Sequence, residues 1–174
     1  QGRGTVVERG SRLMLPNPDE DRRRARDDAD LAARIASNLL DSGLTPPNPS
    51  DVMVDAPTRR AVNRLIDSGL VIRAEDRSKR RELLFHRESI EQAKRRLAPL
   101  LERGPGLRVS EVASALGVSR KYVMPLLDHL DSVGFTCRIE DRRVLSLTKG
   151  HAARGISMAK ARERERHETP EEPV

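Results

Sequence analysis

Arg120 and Lys121 stand directly after Ser119, where apolar residues resume at helical spacing. Ser119 reads as an N-cap, and the apolar positions Tyr122, Val123, Leu126, Leu127, Leu130 and Val133 define one inward stripe. Arg120 and Lys121 then face outward from the first helical turn. The macrodipole disfavours cations there by roughly a few tenths of a kcal/mol. A sequence that accepts this cost gains long donors able to reach phosphates and base edges. Four further arginines lie close by in the pattern: Arg108 just before a short helix, and Arg138, Arg142 and Arg143 in a strand–turn–strand. Together they can form one basic face. The competing reading is that some of them pair with Glu111, Glu140 or Asp141.

No other grouping offers chemistry of its own. A Gly-rich phosphate loop followed by Lys-Ser/Thr is missing. His86, His129, His151 and His167 are not at metal-ligand spacing, and Cys137 is the lone cysteine, so no Cys-based zinc cage or internal disulfide can form. Carboxylates alternate with arginines, as in Glu163-Arg164-Glu165-Arg166, which is the pattern of a solvated face. Ser110 and Ser119 read as helix caps and not as nucleophiles. The expectation is a binding protein without an active site, cofactor or metal.

The elements that must carry Arg120 and Lys121 form a winged helix-turn-helix. A short helix with Val112, Ala113 and Leu116 inward, capped by Ser110, leads through Gly117 into the Ser119-capped helix. Leu107–Val109 reads as a short strand, Phe135–Ile139 and Arg143–Leu147 as the wing, and Glu140-Asp141-Arg142 as its turn. Pro125 falls inside the second helix and predicts a local bend. A preceding helix carries Ile90, Ala93, Leu97, Leu100 and Leu101 inward, and Gly104-Pro105-Gly106 stops it.

This pattern repeats. Leu65-Ile66-Asp67-Ser68-Gly69-Leu70-Val71-Ile72-Arg73 parallels Leu130-Asp131-Ser132-Val133-Gly134-Phe135-Thr136-Cys137-Arg138, a spacing of 65 from Arg73 to Arg138. Residues 5–15 look like a third, partial copy, strand–turn–strand. The expected organisation is therefore the wing of a truncated unit at 1–18, a complete winged-helix unit at 27–85, a C-terminal winged-helix unit at 86–148, and a polar, disordered tail at 149–174 in which a short helix is possible at Met158–His167. In the middle unit, Asp28 or Asp30 caps a helix with Leu31, Ile35, Leu39 and Leu40 on one stripe, ended by Gly43. Residues 45–50 read as a stiff loop without a clean helix-turn-helix. A helix from near Pro57 turns Ala61, Leu65 and Ile66 inward. Leu70–Ile72 and Leu83–Phe85 form a wing whose long turn carries Arg77, Lys79, Arg80 and Arg81. The fold class is mainly α with small β-wings, in tandem winged helix-turn-helix domains.

Composition agrees with small cores and a polyanionic partner. The chain has 174 residues, 34% of them charged and 2% aromatic, and a net charge of +6. Two cores of roughly 60 residues each are feasible but marginal, and a basic chain gains affinity for nucleic acid by counterion release. No apolar run reaches the roughly 20 residues of a membrane span, and cysteine usage suits a reducing, cytoplasmic setting. The chain begins at Gln1 without a Met and is expected to be a fragment or a processed product.

Ser119-Arg120-Lys121-Tyr122, followed by Pro125-Leu126-Leu127-Asp128 and Leu130-Asp131, resembles the last winged-helix domain of the bacterial selenocysteine-specific elongation factor, SelB. Phe85-His86-Arg87-Glu88 and Asp141-Arg142-Arg143-Val144-Leu145 carry the same resemblance, which covers about residues 5–148 and is specific only in the third unit. It implies that the chain binds an mRNA hairpin, the selenocysteine insertion element, through Arg120 and Lys121, with Arg108, Arg138, Arg142, Arg143 and Ser119 beside them. It also implies a ribosome-bound, GTP- and magnesium-dependent full-length factor whose GTPase and tRNA-binding domains are not in this sequence. A DNA-binding transcriptional regulator and a protein-interaction module are the alternatives. The regulator would dimerise, whereas no heptad seam is visible here and a monomer is expected.

Overall fold

The computed structural model describes residues 7–9, 12–14, 18–79 and 81–146. An antiparallel hairpin of β1 (Val7–Arg9) and β2 (Arg12–Met14) comes first. These are the two strands expected within residues 5–15. Residues 149–174, with the expected tail and helix, lie outside the described residues, as does Arg80.

The middle unit is built from α1 (Pro18–Asp41), α2 (Pro49–Val52), α3 (Ala56–Asp67), β3 (Val71–Asp76) and β4 (Arg81–His86). Its first helix starts ten residues or more before the expected caps, so Asp28 and Asp30 are interior residues and not caps. Residues 19–30 hold no apolar side chain larger than alanine and stay largely exposed. Only the second half packs, through Ile35, Ala36 and Leu39, while Leu40 is 39% exposed and leaves the expected stripe. Gly43 follows the last turn at φ +56, a left-handed backbone that suits glycine. The loop read as lacking a helix-turn-helix holds one short helical turn, α2. Asp55 then caps α3: its carboxylate accepts from the Thr58 N–H at 2.8 Å, and the Thr58 hydroxyl accepts from the Asp55 N–H at 3.1 Å. The Thr58 N–H, and the Thr58 hydroxyl that donates to the same carboxylate oxygen at 2.7 Å, hold the Asp55 carboxyl below its usual range.

The C-terminal unit comprises α4 (Arg87–Arg103), β5 (Leu107–Arg108), α5 (Val109–Leu116), α6 (Arg120–Ser132), β6 (Thr136–Ile139) and β7 (Arg142–Leu145), the sheet order being β5-β7-β6. Val109 opens α5 instead of closing the strand, so Arg108 occupies the N-cap position and Ser110 lies inside the helix. An arginine side chain has no acceptor. The orphan donor here is the Arg108 N–H, and the Glu111 carboxylate accepts from it at 2.6 Å. Leu100 and Val133, expected inward, are 44% and 53% exposed, and Tyr122 is half-buried.

Two apolar clusters organise the chain, and the β3–β4 hairpin belongs to both. Val71 and Leu84 face Ile35, Leu39, Val62 and Leu65 of the middle unit. Ala74, Leu83 and Phe85, on the other face, join Ile90, Leu97, Val123, Leu127 and Leu130 of the C-terminal unit. The two strands read as the middle unit's wing thus form a wall between two cores. Its register, Ile72 opposite Phe85 and Ala74 opposite Leu83, puts these four residues on one face.

Gly106 sets the approach of β5 to β7. It has φ +95, and a Cβ there would sit 2.7 Å from both the Arg143 carbonyl oxygen and Val144 Cγ1. The obstacle includes backbone held in the middle strand of the sheet, so it cannot swing aside. Gly106→Ala is expected to destabilise the chain by about 1–3 kcal/mol, read as a lower urea midpoint with an unchanged slope. An unaltered midpoint would show that the sheet relaxes around the methyl group.

Candidate nucleic-acid interface

Gly117, at φ +73, turns the chain from α5 into α6. Ser119 occupies the α6 N-cap with extended backbone, and its carbonyl accepts from the Tyr122 and Val123 N–H groups at 3.0 and 3.2 Å. Its hydroxyl makes no capping bond, so the expected cap holds by position and not by side chain. No carboxylate lies in the first turn of α6. The positive end of the helix and its cations therefore act in the same sense.

Arg120, Arg108 and Arg138 converge on one cleft of about 280 Å³, which Met124, Asp141 and Arg143 also line. Arg120 is exposed and has no hydrogen bond or ion pair with another described residue. Arg108 pairs through Nε with Asp141 Oδ2 at 2.7 Å, with both side chains more than half exposed. Arg138 Nε donates to the Glu140 carbonyl at 2.9 Å, an arrangement helped by the positive φ of 54 at Glu140. Four guanidiniums and a single carboxylate line the cleft, giving it a cationic balance and many donors, a surface suited to phosphates and polar base edges.

The other expected contacts are placed differently. Lys121 points away from the cleft, with Nζ 3.5 Å from Asn48 Oδ1 of the middle unit and 5.1 Å from the centre of the Tyr122 ring. Arg142 donates to the Gly106 carbonyl at 2.8 Å and lies 3.6 Å from Glu111. It is a brace between β7 and the start of α5. Arg143 departs furthest from expectation. Its side chain is 5% exposed, with Nε 2.8 Å from Asp131 Oδ2 and a second nitrogen 3.6 Å from Asp128. The Thr136 hydroxyl donates to the other Asp131 oxygen at 2.6 Å. β7 is the middle strand of its sheet, so Arg143 faces the flank of α6 instead of solvent. It forms part of the floor of the cleft and holds the wing to the helix.

Sequence reasoning missed Met124 as a lining residue and Asp128 and Asp131 as the partners of Arg143. Counting from Arg120, positions 124, 128 and 131 recur at helical spacing, a signal that was available. Burial and nearby Lys94 push the His129 pKa below the usual histidine range, which disfavours a charge there. Among the described residues no three His, Cys, Asp or Glu side chains are grouped to hold a metal. No helix of the described residues is long and apolar enough to cross a membrane.

Helix-turn-helix, three-stranded sheet and wing make the C-terminal unit a winged helix, and a helical unit with a two-stranded hairpin packs before it. Residues 99–145, within the C-terminal unit, match the family model described as elongation factor SelB, winged helix. Solved structures agree in fold. A bacterial selenocysteine-specific elongation factor, EF-Sec, superposes with a TM-score of 0.52 at 18% identity, over 81% of this chain and 21% of its own. The mRNA-binding domain of elongation factor SelB from E. coli, solved in complex with SECIS RNA, gives a TM-score of 0.51 at 16% identity, over 66% of this chain and 96% of its own. The chain thus spans about a fifth of the length of the first. No curated relative matches the sequence.

Proposed function

We propose that this chain is the mRNA-hairpin-binding arm of a selenocysteine-specific elongation factor, and that it directs the factor to the selenocysteine insertion element of its message. One observation carries the reading: in a SelB-type winged helix, three arginines from α6, the β5–α5 junction and the wing meet in one cleft at the start of the recognition helix. Arg120 is its principal contact, with Arg108 and Arg138 beside it and Ser119 at its rim. Lys121 serves at the junction with the middle unit. The arm acts by binding alone, as a monomer in the cytoplasm. GTP, magnesium, tRNA and most ribosome contacts belong to other parts of the full-length factor. The β1–β2 hairpin is the wing of a preceding unit of the same kind.

Gel-shift titration of the chain with a selenocysteine-insertion hairpin, a scrambled-loop hairpin and duplex DNA tests the reading. Preference for the intact hairpin is expected. Equal affinity for all three would refute it, and preference for the duplex would favour the regulator. Arg120→Ala is expected to weaken hairpin binding by about 1–3 kcal/mol, the range of one good base contact. Unchanged affinity would remove Arg120 from the interface.

A further inference from the structure

The turn between β3 and β4 belongs to the middle unit but is fastened to the recognition helix of the C-terminal unit. The backbone N–H of Arg77 donates to Asp128 Oδ2 at 3.2 Å. On a helix of 100° per residue, Asp128 lies about 80° around from Arg120 and Met124 lies between them, so all three share one face. Asp128 is two turns along that face, about 12 Å from Arg120. This is roughly a third of a duplex helical turn.

Asp76 ties down residues 76–79 of the turn, and they carry charge. Asp76 is 3% exposed and accepts from the Ser78 hydroxyl at 2.6 Å, the Ser78 N–H at 3.0 Å and the Lys79 N–H at 3.2 Å. Burial alone would raise the Asp76 pKa, but these bonds outweigh it and hold the carboxyl below its usual range. The carboxylate thus keeps these bonds at neutral pH. Arg77 and Lys79 are exposed, and neither side chain donates to another described residue. The nearby carboxylates are occupied: Asp76 by the turn, Asp128 by Arg143 and the Arg77 N–H, and Glu82 by Arg73. Glu75 lies on the opposite face of the hairpin. Lys79 thus has Asp76 as a nearby countercharge without a direct ion pair, and the Arg77 side chain forms no ion pair with a described residue.

We propose that the β3–β4 turn is a second RNA contact, in which Arg77 and Lys79 hold backbone phosphates of the stem whose loop occupies the α6 cleft. The inference rests on the hairpin-binding reading above. The cleft reads the loop, while the turn reads only charge and spacing and sets the direction in which the stem leaves. The middle unit thus takes part in binding through its wing turn and not through the start of α3.

The test uses the full chain with two hairpins of identical loop, one with a short stem and one with an extended stem, titrated over a range of salt. The double variant Arg77→Ala, Lys79→Ala keeps the backbone bond to Asp128 and removes only exposed side chains. On the long stem it should lower the salt slope by about two and weaken binding about tenfold at low salt. On the short stem it should bind as the wild type does, and Arg77→Lys should keep the wild-type slope on both. A wild-type slope for the double variant on the long stem, with Arg120→Ala still weakening both hairpins, would overturn the second contact and leave the cleft standing. Failure of the wild-type chain to prefer either hairpin over its scrambled-loop form would overturn both.

Discussion

Asp131→Ala is expected to destabilise the chain by about 3–5 kcal/mol, the cost of leaving a buried charge without its partner. Arg143 cannot shed its proton, and its side chain is only 5% exposed. Without Asp131 it keeps only Asp128, at the longer distance of 3.6 Å. The buried Thr136 hydroxyl also loses its acceptor. The reciprocal variant, Arg143→Met, should cost less. Its stem fills similar space, and the carboxylates it abandons, 17% and 25% exposed, can take water. Urea unfolding at pH 7 of the two single variants measures this asymmetry. An Asp131→Ala loss under about 1 kcal/mol, or a larger loss for Arg143→Met, would show that the pair is not the buried brace described here.

Phe85→Ala should cost a similar amount, about 3–5 kcal/mol, with a second signature. Phe85 is fully buried and, with Leu83 and Ala74, forms the middle unit's contribution to the core of the C-terminal unit. Truncating it opens a cavity on the shared wall. Calorimetry of the wild type should show one transition for the two units, and the variant a broadened or split one at lower temperature. Two separate transitions in the wild type, with only one moved by Phe85→Ala, would mean that the units fold independently.

Much of this architecture can be read from the residues, and the misreadings have definite causes. The helix-turn-helix of the C-terminal unit is legible because Val112, Leu116, Val123, Leu127 and Leu130 repeat at helical spacing around Gly117. The first half of α1 is not, because its charged residues carry no apolar period and helix propensity alone sustains it. Ser110 misleads because a serine before apolar residues looks like a cap, while the actual reciprocal bond comes from Glu111. In the site, the convergence of Arg120, Arg108 and Arg138 follows from the winged-helix pattern. The burial of Arg143 does not, because strand alternation says which residues share a side but not which side meets α6. The sharing of β3–β4 between two cores is equally hidden. An unbroken run such as Leu83-Leu84-Phe85 is compatible with any strand buried on both faces.

That run has a bearing on how such an arm can vary in length. Leu84 serves one core and Leu83 and Phe85 the other, so sidedness in β4 depends on odd and even positions. Adding or removing one residue between Leu83 and Phe85 would exchange the two sets and spoil both cores at once, whereas a change of two would keep the sides. The exposed Glu140–Asp141 turn and the charged half of α1 carry no such parity. Natural length changes should therefore collect in those segments, while the spacing between the two units stays fixed by the count of residues in one strand.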